Sequence, residues 1–261
     1  MKRIVPLIVA MLLAGCGTFG QKGEQNEQAS AEKIYREAKS ELDSGNYQTA
    51  AKLYESLTAR FPYGRYAQQA EIEMAYAHYK DNEPTLALAA IDRFIKQHPS
   101  HPNVDYAYYL KGLVNFLEDR TFLSFISKQD LSERDPKSAR ESFEAFRELV
   151  NRFPSSRYAE DARLRMAFLV SALAQNELHV AGYYYRRGAY LATANRAKTV
   201  VEQYPHTKHV ETALAAMVLS YDKLGMTELR DDAKRVLLKN YPGTNALQSE
   251  LFAEKPWWHL W

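Results

Sequence analysis

The side chain whose type and position most clearly predict a covalent modification is Cys16, the single cysteine among 261 residues. It follows a segment built like a secretory signal, with two basic residues, Lys2 and Arg3, and then an apolar run from Ile4 to Leu13. That run of about ten residues is too short to span a membrane, which needs about 20. We therefore predict a signal peptide over residues 1–15, cleaved directly before the cysteine.

The tetrapeptide Leu13-Ala14-Gly15-Cys16 resembles the lipobox of bacterial lipoproteins. This resemblance implies a diacylglycerol on the sulfur of Cys16 and an acyl chain on its new amino group, which together would anchor the protein to a membrane. No other cofactor is expected. Gly17 follows, where an aspartate would favour the inner membrane, so the sequence is compatible with the outer membrane. An ordinary signal peptide with an incidental cysteine is the alternative.

The rest of the sequence offers no clear catalytic or metal-binding pattern. It has no glycine-rich phosphate loop. His206 and His209 have the spacing of one helix face, but only Glu211 stands nearby as a further ligand, whereas zinc needs three or four. These histidines are interpreted as capping or surface groups. The prediction is a protein that is not an enzyme, with no catalytic residues and no metal.

The charge balance argues against a nucleic-acid partner. Loss of residues 1–15 removes Lys2 and Arg3, which lowers Lys plus Arg from 34 to 32, equal to the 32 Asp plus Glu. A mature chain without basic excess favours neither nucleic acid nor an anionic membrane surface.

A recurring ending predicts a repeat architecture. Five segments end alike, with an aromatic residue or histidine directly before proline, at spacings of 37, 55, 51 and 37 residues. Each unit holds two stretches of helical apolar spacing, separated by a turn signal such as Gly45-Asn46, and no alternating strand pattern appears. The sequence predicts an all-α superhelix of five helix pairs, and it resembles the tetratricopeptide repeat. The five endings are Arg60-Phe61-Pro62, Gln97-His98-Pro99, Arg152-Phe153-Pro154, Gln203-Tyr204-Pro205 and Asn240-Tyr241-Pro242.

The composition also suggests how the mature chain is divided. Residues 16–30 are polar and rich in Gln, Glu and Gly, which predicts a flexible tether. The repeat domain is expected over 31–249, with an N-terminal half at 31–117 and a C-terminal half at 136–249. In the latter half, residues 157–187 are expected to form one long helix, with a bend near Asn176-Glu177 left open.

Two further segments carry large apolar residues outside the helix pairs. The insertion 118–135 interrupts the third pair and contains four of them, so we expect it to dock on something, most often its own scaffold. The tail 250–261 contains all three tryptophans. We interpret it as a cap on the last helix pair, with the lipid interface, a partner, or the protein's own groove as alternatives. The four residues of the insertion are Phe122, Leu123, Phe125 and Ile126.

Tyrosines on the first helix of each pair predict a binding groove, since these helices line the groove in tetratricopeptide proteins. The spacing places Tyr76 and Tyr79 on this face in the second unit, and Tyr106 and Tyr109 in the third. Adjacent Tyr108 and Tyr109 cannot share a face, so one of them should point outward. Tyrosine offers contact area while its hydroxyl stays hydrated. The groove would suit an apolar peptide, although packing between helices is the alternative role for most of these rings.

Longer motifs make a more specific resemblance, to the BamD family of lipoproteins in the outer-membrane β-barrel assembly (BAM) machinery. The similarity covers roughly residues 13–242. The motifs are Phe61-Pro62-Tyr63-Gly64-Arg65-Tyr66, Ala90-Ile91-Asp92-Arg93-Phe94-Ile95, His101-Pro102-Asn103-Val104-Asp105-Tyr106, Arg134-Asp135-Pro136, and Arg187-Gly188-Ala189 with Asn195-Arg196.

The resemblance implies a non-enzymatic scaffold on the periplasmic face of the outer membrane. Its expected partners are the POTRA domains of BamA, other BAM lipoproteins and unfolded outer-membrane proteins, whose C-terminal targeting strand ends in an aromatic residue. Arg187 and Arg196 would bind BamA, the latter by pairing with a POTRA carboxylate, unless Arg196 only makes a surface ion pair. The expected contacts to the targeting strand are Tyr63, Tyr66, Tyr76, Tyr79, Tyr106 and Tyr109.

Two other classes of protein remain as alternatives at this point. A periplasmic repeat lipoprotein associated with peptidoglycan or cell division would share the lipobox and the repeats, but not the His101–Tyr106 motif. An envelope hydrolase would need a catalytic cluster that the sequence does not show.

Overall fold

The computed structural model describes residues 18–118, 136–249 and 252. Ten α-helices and one short 3₁₀ helix make up most of this part of the chain, and no strand occurs in it. The prediction of an all-α fold of helix pairs is confirmed, because ten helices are the number that five pairs require. The helices are α1 (Thr18–Asp43), α2 (Tyr47–Arg60), α3 (Arg65–Lys80), α4 (Pro84–Gln97), α5 (Val104–Glu118), α6 (Lys137–Arg152), α7 (Ala159–Arg186), α8 (Tyr190–Gln203), α9 (Val210–Lys223) and α10 (Thr227–Asn240), followed by the 3₁₀ helix Ala246–Gln248.

The chain forms two compact units, which we call unit 1 (Met1–Val114) and unit 2 (Asn115–Trp261). In unit 1, each of α1 to α3 packs on the helix that follows it, and α1 also touches α3. In unit 2, each of α6 to α9 packs on its successor, and α7 also touches α9. In both units, therefore, the first helices of adjacent pairs lie side by side, as they do in tetratricopeptide repeats.

The turn inside a pair is closed by a residue with left-handed backbone geometry. After α1 this residue is Gly45 (φ 82°), and the next amide, that of Asn46, donates to the Glu41 carbonyl at 2.9 Å. This bond spans five residues and satisfies a carbonyl that the helix end would otherwise leave open. After α3 the same position is held by Asn82 (φ 60°), which tolerates this geometry better than most residues. Gly188 and Gly225 hold it after α7 and α9.

The turn after each pair depends on the predicted aromatic–proline ending. The residue before each proline caps a helix, with φ between −127° and −133° at all five positions. Proline restricts the residue before it to extended geometry, which ends the helix there. Each capping amide still donates to the carbonyl four residues earlier, at 2.8–3.0 Å. The caps are Phe61, His98, Phe153, Tyr204 and Tyr241.

Small residues at the helix contacts allow close packing around a few large side chains. In unit 1, Tyr54, Phe94 and Ile72 are almost fully buried, and alanines such as Ala50 and Ala75 have no exposed surface. In unit 2, Phe146 and Leu237 are fully buried. Because protein interiors pack like crystals, a stripe of alanine opposite an aromatic ring fixes the distance between two helices.

Two expectations about local structure have clear outcomes. The predicted coil at 16–30 is wrong over 18–30, because α1 already begins at Thr18. Glu, Gln, Lys and Ala favour a helix, and a helix nucleated by the packed part of α1 extends at little cost. The long helix expected at 157–187 is observed as α7, unbroken from Ala159 to Arg186. Cys16, most of the insertion (119–135) and most of the tail lie outside the described residues.

Candidate partner-binding surfaces

An aromatic cleft lies beside the turn between α2 and α3 in unit 1. It has a volume of about 630 Å³, and we call it the unit 1 cleft. Pro62 ends one helix, and Gly64 (φ 101°) starts the next in a conformation that L side chains rarely adopt. The chain therefore reverses within four residues and presents its side chains to solvent. The lining residues are Gln28, Ala31, Arg60, Phe61, Pro62, Tyr63, Gly64, Arg65 and Tyr66.

The cleft combines aromatic rings with two guanidinium groups. Tyr63 is 92% exposed, so it adds almost nothing to the packing of the fold. The Arg65 guanidinium lies 4.8 Å from the centre of the Tyr66 ring and donates to its hydroxyl at 3.0 Å. Arg60 lies over Phe61 at 5.8 Å. Such a surface suits an extended peptide that brings an aromatic side chain and a carboxylate.

The six tyrosines predicted as peptide contacts fall into three groups. Tyr63 and Tyr66 line the unit 1 cleft. Tyr76, Tyr79 and Tyr106 are half-buried against the unit 1 core, where the first two rings lie 6.1 Å apart. Tyr109 is partly exposed while Tyr108 is buried, so the expectation that these neighbours face different ways is confirmed.

A carboxylate that we did not single out from the sequence holds the cleft in place. Glu73 on α3 accepts hydrogen bonds from Tyr35 (3.3 Å), Lys39 (3.1 Å), Tyr54 (3.3 Å) and Gln69 (3.1 Å). These donors lie on α1, α2 and α3, so one side chain joins three helices. The Tyr35 ring in turn lies 5.5 Å from that of Tyr66 in the cleft. The only signal for this role in the sequence was that Glu73 stands between two apolar residues, Ile72 and Met74.

The tyrosine hydroxyls of this network remain donors over the whole physiological pH range. Burial, followed by the charge of Glu73, raises the pKa of both Tyr35 and Tyr54 above the usual value of 10.0. The hydroxyl protons are therefore retained and stay directed at the carboxylate.

The His101–Tyr106 motif is connected to the same network. The amide of Asn103 donates to the His101 ring at 3.0 Å, and its side chain donates to Gln69 at 3.1 Å. Burial, with a smaller effect from His98, lowers the pKa of His101. A neutral ring accepts the amide bond, so this motif organises the start of α5.

In unit 2, Arg196 faces a buried carboxylate of its own chain. Its guanidinium donates to Glu177 on α7 at 2.9 Å, and Arg140 on α6 lies 3.5 Å from the other oxygen. The side chain of Glu177 is 4% exposed, whereas that of Arg196 is 45% exposed. The bond to Glu177 is the main cause that raises the pKa of Arg196. One arginine therefore neutralises a buried charge and also presents a surface to solvent.

Arg187, the other residue expected to bind BamA, is exposed beyond the end of α7. Its guanidinium lies 5.4 Å from the Tyr183 ring, which is 5.9 Å from that of Tyr184. Tyr184 lies close enough to Arg196 to help raise the pKa of its guanidinium, after the larger effect of Glu177. The two predicted arginines thus belong to one continuous surface, which we call the arginine–tyrosine surface.

A second cleft, of about 550 Å³, opens near Glu177 and is called the unit 2 cleft. It combines an apolar floor with charged groups from α6. Its lining residues are Arg140, Phe143, Glu144, Val170, Leu173, Glu177, Thr199, Gln203 and Tyr204.

The part of the chain that the structure describes contains neither a cluster of metal ligands nor a helix suited to cross a membrane. Within 18–118 and 136–249, no group of three His, Cys, Asp or Glu side chains is arranged to hold a metal ion. His209 instead bonds the Ser171 hydroxyl at 3.1 Å. None of the helices in the same ranges has both the length and the apolar character to cross a membrane.

Helix pairs with left-handed inner turns and proline-terminated ends define a helical-repeat protein of the tetratricopeptide type, with open clefts on each unit. The chain belongs to the YfiO family, since the family model, described as an outer membrane lipoprotein, matches residues 27–237. This finding confirms the resemblance drawn from the motifs.

Relatives with the same name occur in several organisms. The chain is 48% identical to "Outer membrane protein assembly factor BamD" of Neisseria meningitidis, over 100% of both chains. It is 36% identical to the protein of that name from Xylella fastidiosa, over 97% of this chain and 86% of the relative. For the Vibrio cholerae protein the identity is 33%, over 90% and 96%. A solved structure of Podospora anserina putative kinesin light chain TPR-like repeats is similar at a TM-score of 0.41 and 11% identity, over 81% of this chain and 96% of that one.

Proposed function

We propose that this chain is an outer-membrane protein assembly factor that works by binding other proteins, without catalysis. The observation that carries the proposal is full-length similarity to proteins named BamD, joined to a scaffold whose clefts are lined by aromatic and basic residues. The energy for its work would come from binding and folding, as the periplasm lacks ATP.

In this proposal, unfolded barrel precursors bind at the unit 1 cleft. A targeting strand that ends in an aromatic residue brings a ring and a terminal carboxylate, and the cleft offers exposed Tyr63 beside Arg60 and Arg65. Arginine can hold a carboxylate by two parallel hydrogen bonds. The half-buried rings of Tyr76, Tyr79, Tyr106 and Tyr109 would extend the contact along α3 and α5.

Changes at the rim of this cleft are expected to weaken peptide binding while the fold is retained. Tyr63→Ser and Arg65→Ala should each lower the affinity for a fluorescent C-terminal precursor peptide about 5- to 30-fold, the loss typical of an interface hot spot. Fluorescence anisotropy measures it. The matched control is Arg157→Ala, because Arg157 lies 4.7 Å over the Tyr158 ring in the equivalent turn of unit 2. Equal loss in the control, or unchanged affinity in both test variants, would contradict the proposal.

The arginine–tyrosine surface is proposed as the contact with the POTRA domains of BamA. Its support is the exposed Arg187 and the half-exposed Arg196, both of which match the family motif. Other BAM lipoproteins are proposed as further partners of the same assembly.

Attachment to the outer membrane through lipid on Cys16 completes the proposal. Metabolic labelling with radioactive palmitate should mark the native protein but not a Cys16→Ser variant. Label retained after this substitution would contradict the proposal that Cys16 carries the lipid.

A further inference from the structure

The chain beyond α10 turns back onto the first helices of unit 2. The 3₁₀ helix Ala246–Gln248 packs on α9, and Phe252 is buried to 5% exposure with its amide bonded to the Ser249 carbonyl at 3.1 Å. The Phe252 ring lies 5.5 Å from that of Tyr185 on α7. This residue therefore fixes the start of the tail on α7, away from its connection to α10.

Exposed apolar side chains occur at the α7–α8 turn, to which Phe252 is joined through the Tyr185 ring. The Tyr185 ring contacts that of Tyr190 at 5.3 Å, at the start of α8. Tyr183 and Leu191 flank the same α7–α8 turn and are 50% and 55% exposed. Arg187 lies over the Tyr183 ring, and a stacked arginine on tyrosine is a surface onto which an indole ring packs well.

We propose that the tail of this chain binds the α7–α8 turn, with the Trp257-Trp258 pair covering Tyr183 and Leu191. Four residues lie between Phe252 and Trp257, so an extended chain places Trp257 up to about 17 Å from Phe252. The turn is connected to Phe252 by two ring contacts, so it is within this reach. The tail is then an internal ligand that shields part of the arginine–tyrosine surface.

This site differs from the one expected from the sequence, a cap on the last helix pair. That pair does expose apolar residues, with Leu229 at 49% and Val236 at 42% on α10. However, Phe252 belongs to the cluster formed with Tyr185, Val200 and other residues of α7, α8 and α9. The anchor thus directs the tail to the α7–α8 turn.

Tryptophan fluorescence tests the proposal directly, because all three tryptophans of the chain lie between residues 257 and 261. The full chain is reconstituted in phosphatidylcholine vesicles, and quenching by acrylamide is measured. The test variant is Tyr183→Ser with Leu191→Ser, and the matched control is Leu229→Ser with Val236→Ser on α10. All four residues are exposed, so both variants are expected to fold, which circular dichroism verifies.

In the native chain we expect emission shifted to the blue and weak quenching by acrylamide. The test variant should raise the quenching constant about twofold or more as the bound population falls, and the control should not change it. A rise in the control alone would place the tail on the last pair and overturn the proposal. Quenching by brominated phosphatidylcholine, or emission that depends on protein density in the vesicles, would also overturn it by indicating lipid or a second copy as the binding surface.

Discussion

Replacing Glu73 by alanine is expected to lower the free energy of unfolding of unit 1 by about 3 kcal/mol, a large effect for one side chain. The substitution removes the acceptor of four hydrogen bonds. The largest part of the loss comes from Tyr54, because this residue is fully buried and its hydroxyl cannot form a replacement hydrogen bond with water. Lys39 is 42% exposed and can be hydrated. The expected loss of stability therefore lies at the low end of the range for breaking a buried ion pair.

Hydrogen exchange followed by mass spectrometry is the suitable measurement, since it reports on α1 to α3 separately from unit 2. Amides in these helices should exchange about a hundredfold faster in Glu73→Ala if they open only by unfolding of unit 1. Glu37→Ala is the control, because Glu37 is exposed on α1, and its effect should stay within about 0.5 kcal/mol. Identical exchange in the two variants would show that the network does not stabilise the unit.

Arg196→Glu is expected to destabilise unit 2 by about 2–4 kcal/mol as well as to reduce binding of BamA. The new carboxylate would face Glu177, whose side chain is 4% exposed and now accepts a hydrogen bond from Arg196 at 2.9 Å. Arg140 remains as a second partner at 3.5 Å and limits the loss. Urea unfolding followed by circular dichroism measures the stability, and a pull-down with the POTRA domains measures the binding.

Loss of binding in this variant alone would therefore not identify a contact. The combined change Arg196→Gln with Glu177→Gln removes both charges while keeping similar shapes, and should recover most of the stability. If this double variant is stable and still fails to bind, the cation itself is needed by the partner. Arg187→Ala serves as an exposed comparison. Full stability of Arg196→Glu would mean that Glu177 does not depend on this arginine.

Local signals in the sequence predicted the helix ends well. The residue before proline has restricted backbone angles, and glycine accepts left-handed geometry, so both act within a few residues of the chain. That is why the endings at Pro62 and Pro205 and the turn at Gly45 are found where they were expected.

Long-range polar partners could not be predicted in the same way. Glu73 and Tyr35 are 38 residues apart, and Glu177 and Arg196 are 19 apart, so each pairing depends on how helices stack. A buried glutamate and a solvated glutamate also look alike in a single sequence. For this reason the sequence predicted Arg196 as a binding residue but did not predict its internal partner Glu177.

Helical structure from Thr18 onward also changes how the protein would stand on a lipid surface. A flexible coil would allow the repeat domain to lie at many different distances from the membrane. A helix is instead a rigid spacer with a rise of about 1.5 Å per residue. The part of α1 from Thr18 to Ala31, which lies at the edge of the unit 1 cleft, is about 20 Å long. With lipid on Cys16, the unit 1 cleft, which we propose as the binding site for precursors, would be held at a set height above the bilayer.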